Sequence, residues 1–120
     1  MGGNEPTYLI AFNRTRGRQI AARVLKAADY ESRSRGLLGR HSLDPAEGLW
    51  IVPCPMIHTF FMKFPIDVVF LTKDLKVARV MENLKPWRIS PWVLRAHSVL
   101  ELAGGVLTGS ISIGDQLEIA

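Results

Sequence analysis

Residues 53–71, PCPMIHTFFMKFPIDVVFL, constrain this chain more than any other stretch. They set its only cysteine, one of its three histidines, a lysine and an aspartate into an otherwise mostly apolar segment. A polar group inside a buried apolar run has to be hydrogen-bonded or paired. Asp67 is the sharpest case, because it interrupts the apolar strand pattern of residues 66–71; its carboxylate either faces a pocket or is buried with a partner. Lys63, Arg40, His58 or backbone amides could serve as that partner. The structural role open to it is to tie down the preceding proline turn by accepting backbone N–H bonds.

The rest of the chain reads as short strands around one helix. Residues 7–12 and 19–25 form a hairpin whose loop bears Arg14, Arg16 and Arg18. Asp29 is a helix N-cap, Tyr30, Ser34, Leu37 and Leu38 fall near a helical stripe, and Gly36 and Gly39 end it. Arg33, Arg35 and Arg40 lie towards its C-terminal end, where positive charge favours the helix dipole. Residues 49–52, 59–62 and 66–71 are β-like, with Pro65 blocking ladder pairing between the last two. A turn at residues 72–75 leads into a strand at 76–83, the strongest hairpin signal in the chain. Trp87 and Trp92, on or beside a proline-stiffened loop, either close over the core or line a binding surface, and covering the core is the commoner role. Residues 96–102 and the segment around Gly114-Asp115 complete the strands. The expected fold is a single α+β domain over residues 1–120, β-rich, a small barrel or strongly curved mixed sheet with one short helix.

Composition narrows the function classes. At 120 residues and 48% hydrophobic, the chain can build a core without disulfides. Lone Cys54 cannot pair internally, which favours a reducing compartment, and the N-terminal sequence shows neither a secretory nor a myristoylation pattern. No apolar run is long enough for a membrane span, so the expected location is cytoplasmic. The net charge of +4 is uneven: residues 1–40 carry eight basic against three acidic side chains, the remainder seven against eight. A solvated basic face explains this better than a nucleic-acid footprint, because no nucleic-acid-binding motif accompanies it.

Catalytic signatures are missing. Cys54 with His58 suggests a thiol nucleophile and its base, yet the spacing is not diagnostic and a cysteine is commonly a small buried apolar residue. His58, Asp67 and His97 or Glu101 could compose a metal set, but no short histidine spacing supports one, so no metal site is assigned. Gly104-Gly105 and Gly109 match neither a P-loop nor a dinucleotide fingerprint, and no Gly-x-Ser-x-Gly occurs. No cofactor is expected.

Taken in order, Arg35-Gly36-Leu37-Leu38-Gly39-Arg40, Glu47-Gly48-Leu49, the block from His58 to Leu71, Val99-Leu100-Glu101-Leu102-Ala103-Gly104-Gly105 and Gly114-Asp115 resemble the domain-of-unknown-function 192 family. The resemblance implies a compact β-barrel-like domain with a short helix and no agreed activity. It also implies relatives that often carry an exported or anchored N-terminus, which is not expected here. In the family's commoner form a Phe-Trp-Met-Lys-Asn-Thr stretch precedes the Pro-x-Asp strand; here Phe61 replaces the tryptophan and Phe64-Pro65 follows Lys63 directly.

The resulting expectation is a small binding or accessory domain with a polar-aromatic pocket built by His58, Lys63 and Asp67, with Arg40 and Glu101 as neighbours. It would suit a small polar ligand or a peptide. One alternative is an enzyme using Asp67 and His58 as an acid–base pair. The other is nucleic-acid binding through the basic first third.

Overall fold

In the computed structural model, which describes residues 6–120, the elements run in the order β1 (Leu9–Asn13), β2 (Arg18–Ala27), α1 (Tyr30–Arg35), β3 (Glu47–Ile51), β4 (Ile66–Leu71), β5 (Val77–Leu84), β6 (Ser98–Ala103) and β7 (Leu117–Ile119). All of these strands belong to one sheet, ordered β5-β4-β6-β3-β2-β1-β7. Every pairing is antiparallel except that of β2 with β3. A parallel pair needs a crossover, and α1 with the loop after it provides one. The sheet curls until its ends meet. Lys76 and Gln116 form a bridge, and the Leu117 and Val77 amides donate to the carbonyls of Leu75 and Asp115. The β-rich α+β fold read from the sequence, a strongly curved mixed sheet with one short helix, is the fold observed.

The curl separates two apolar layers. Its concave face collects Val24, Val69, Leu71, Leu100, Leu102 and Leu117 from strands along the whole sheet. On the outer face, Ile66, Val68, Phe70 and Val99 are covered by Leu37, Leu43, Ile57, Met62 and Val93 from helix-flanking and loop segments. β4 is therefore buried along its entire length, which is why it reads as an almost continuous apolar run.

Side chains fasten the connections. The arginine-bearing β1–β2 loop is anchored to the C-terminal segment: Asn13 and Arg16 both donate to the Asp115 carboxylate at 2.9 Å, and Arg14 pairs with Glu118 at 2.8 Å. Asp29 caps α1 as expected, accepting from the Ser32 amide at 2.7 Å. The apolar stripe extending that helix does not form. α1 ends at Arg35 and buries no residue, while Leu37, only 4% exposed, packs from the turn beyond it. Residues 59–62 are a turn rather than a strand. Buried Thr59 donates its hydroxyl to the Lys85 carbonyl at 2.6 Å and accepts the Arg88 amide at 2.9 Å, so side-chain bonds take the place of a ladder. Trp87 and Trp92 do not cover the core: they are 56% and 67% exposed.

Gly104 shows how closely β6 approaches the β4 entry. A Cβ there would lie 2.9 Å from the Pro65 carbonyl oxygen, a backbone atom that cannot rotate away. Gly104→Ala should therefore lower stability by about 1–3 kcal/mol, the usual range for overpacking, read as a reduced urea midpoint with unchanged slope.

Candidate functional site

Glu101 lies at the centre of β6, opposite Leu49 of β3 on one side and Val68 of β4 on the other. Side chains alternate along a strand, so it projects with Val99 onto the outer face, beneath the helix and the residues 53–62 segment. There it lines a pocket of about 150 Å³ shared with Arg33, Cys54, His58, Met62 and Leu37, among others. Glu101 is only 4% exposed, and no group among the described residues hydrogen-bonds to its carboxyl. Burial pushes its pKa up to about 7.

The surrounding groups are equally specific. Arg33 also lines this cavity from α1, and its Nε is buried without a hydrogen-bond partner among the described residues. Cys54 donates its thiol to the Met56 carbonyl at 3.0 Å. Burial raises its pKa, and the Glu101 carboxylate acts in the same direction. The thiol form is favoured, which argues against a ready thiolate nucleophile. His58 sits at the exposed rim, its ring stacked on Phe60 at 4.8 Å and its Nδ1 accepting the Phe60 amide at 3.3 Å.

The five residues singled out from the sequence separate. Glu101 and His58 meet at this pocket. Arg40 turns to Glu47 at 3.1 Å and lines a neighbouring groove with Arg23 and Leu43. Lys63 is exposed on the turn before β4. Asp67 lies on the other side of the sheet, at the level of Leu102 and in line with Val69 and Leu71 of the concave face. An Asp67–His58 acid–base pair is thereby removed, because the two groups are on opposite faces.

Asp67 has a full set of partners instead. One carboxylate oxygen accepts from the amides of Asn83 at 2.8 Å and Gly105 at 2.9 Å, and the other from Leu107 at 2.9 Å. It does pin a turn through backbone amides, though the turn is that of residues 103–107 after β6 and not the proline turn before β4. Arg33 was missed because its place near the helix C-terminus already explained it. Nothing in its local sequence marks one arginine of a short helix as the one that faces a cavity.

Most of the basic first third also resolves into pairs. Arg14, Arg16, Arg23, Arg35 and Arg40 each meet a carboxylate, and Lys26 lies 5.0 Å over the Trp50 ring.

A family model described as "Uncharacterized ACR", that of domain-of-unknown-function 192, matches residues 11–119. The chain belongs to this family. Within it, a UPF0127 protein of Pyrococcus furiosus is 30% identical over 112 residues, covering 88% of this chain and 94% of the relative. A UPF0127 protein of Thermococcus sibiricus is also 30% identical over 112 residues, covering 88% and 71%. A crystal structure of a protein of unknown function from Novosphingobium aromaticivorans shares the fold, with a TM-score of 0.80 at 22% identity, covering 98% of this chain and 88% of that one. A Sinorhizobium meliloti protein described as a candidate transcription regulator superposes with a TM-score of 0.77 at 26% identity, covering 97% and 98%. The family resemblance read from the ordered sequence blocks is thus met. No helix among the described residues is long and apolar enough to cross a membrane.

Two measurements separate the carboxylates. Asp67→Ala leaves three amides without their acceptor and should cost about 3–5 kcal/mol in denaturant unfolding. Glu101 has the opposite sign. Its folded pKa of about 7 lies above its ordinary 4.5, so the folded state holds the extra proton between those values. Its contribution to stability should be fully present below about pH 4.5 and fall by about 3 kcal/mol as pH rises through 7. In urea titrations across that range, the difference in stability between wild type and Glu101→Gln should follow this slope.

Proposed function

We propose that this protein is a small-molecule binding domain whose ligand occupies the outer-face pocket over Glu101. The observation that carries the reading is the carboxyl of Glu101, buried and without a protein hydrogen bond, in a cavity that Arg33, a guanidinium with an unpartnered Nε, also lines. Buried polar groups are nearly always satisfied, so a carboxyl left without a partner at a cavity lined by a guanidinium fits a ligand that supplies both a donor and an acceptor. Such a ligand offers an N–H to Glu101 and an acceptor oxygen to Arg33, as a primary amide or a free amino acid does. Leu37, Ile57 and Met62 line the apolar remainder. At about 150 Å³ the pocket suits a small polar molecule better than a peptide. The thiol of Cys54 at the same cavity accords with a cytoplasmic, reducing setting, and residues 1–120 would act as one domain.

Thermal-shift screening of the full chain against small amides, guanidines, amines and amino acids tests this. A ligand of the proposed kind should raise Tm in wild type and bind at least about tenfold more weakly to Glu101→Gln and to Arg33→Met, since each loses a hydrogen bond to a charged group. Equal binding by both variants, with their folds intact, would place the ligand elsewhere.

A further inference from the structure

The pocket leaves a second feature unexplained. Residues 54–59 and 87–97 run side by side outside the main sheet. The Thr59 amide donates to the Arg88 carbonyl at 2.8 Å, Ser90 to Ile57 at 2.9 Å, Val93 to Pro55 at 3.0 Å and Cys54 to His97 at 2.8 Å. At the tip of this ribbon Phe61 packs on Trp87 with ring centroids 4.6 Å apart, and Phe60 lies 6.1 Å from the same ring. Phe61 is 69% exposed, and Ile89, Trp92 and Leu94 are exposed along the second segment. Large apolar side chains gathered in this way mark an interaction surface. Phe61 and Trp87 both have φ of +64°, a conformation that L-residues rarely adopt, and both are at the tip. Pro86 and Pro91 stiffen the loop that carries the tryptophans.

Charge and shape select the occupant. Residues 53–66 and 84–97 contain Lys63, Lys85, Arg88 and Arg95 and no aspartate or glutamate, so the partner surface is anionic. A second copy of this chain would set like charges against each other. Strand addition is not offered, since the amides of Thr59, Trp87, Arg88, Ser90 and Val93 already donate within the ribbon. Phe61, Trp87 and Trp92 line neither of the two cavities described above. An exposed tip of aromatic rings flanked by lysine and arginine matches the chemistry of a lipid interface, where rings sit at headgroup depth and long basic chains reach the phosphates.

We propose that this ribbon docks the protein peripherally on an anionic lipid bilayer, seating Phe61 and Trp87 in the interface with Lys63, Lys85, Arg88 and Arg95 against the headgroups. The test is co-flotation of the full chain with vesicles of phosphatidylcholine alone or with about a third phosphatidylserine, at low and high salt, alongside tryptophan emission. The expected result is binding to the anionic vesicles only, reversed by high salt, with a blue shift in emission that brominated lipid quenches. Arg88→Ala with Arg95→Ala should weaken partitioning roughly thirtyfold, two surface charges' worth. Trp87→Ser should remove most of the blue shift while circular dichroism stays native. Several outcomes would overturn the proposal: no flotation at low salt, flotation indifferent to Trp87→Ser and to the arginine pair, or Trp87-dependent binding to single-stranded DNA or to an acidic peptide in preference to anionic vesicles.

Discussion

The architecture depends on three hydrogen bonds to one carboxylate. Asp67 receives amides from Asn83 at the end of β5 and from Gly105 and Leu107 in the turn after β6. It therefore couples the strand it stands on to both of that strand's neighbours. Carboxylate acceptors strengthen such bonds, and a site closed to water leaves no substitute for them. The Gly104 backbone lies against Pro65 in the same region, so the turn has little room to settle elsewhere. Because the turn after β6 is fixed, β6 is fixed too, and Glu101 is held over the outer face three residues before Gly104. The concave core and the outer pocket are thus built on the same strands and differ by one step of side-chain alternation.

That single step explains what the sequence made legible. Strands and turns were readable because Gly114-Asp115, the β4–β5 hairpin and the Asp29 cap are local signals. β4 was readable as a strand, but a continuous apolar run carries no alternation to say which residue faces which layer. Asp67 and Glu101 both stand in apolar strands and look alike as letters. One is enclosed by amides and the other is open to a cavity, a difference decided by which face a turn or a loop covers. The same limit applies to Thr59, whose side chain took over the bonds that would have made residues 59–62 a strand. Trp87 and Trp92 could not be placed without the ribbon that carries them, since a proline-flanked aromatic, more often a core lid, also fits an exposed tip.

The outer face joins the two proposed surfaces. His58 stands at the pocket rim, bridged to Ile89 of the ribbon and stacked on Phe60, which approaches Trp87. The pocket entrance and the aromatic tip are therefore parts of one continuous segment. The β2–β3 crossover supplies the opposite wall, because a parallel pair forces the chain over the sheet and α1 rides on that passage. Arg33 reaches the cavity as a result of topology, not of any helical preference.

The closure of the curl bears on how safely such a sheet persists in a crowded solution. Open strand edges invite pairing with other chains. Here the two sheet ends are stitched at Lys76 and Gln116. The β5 edge beyond that point carries Arg79 and Glu82, and its pairing with β4 shifts register in two places. A charged, irregular edge makes a poor template. The sheet is thereby guarded against edge-to-edge aggregation along the border that closure leaves uncovered.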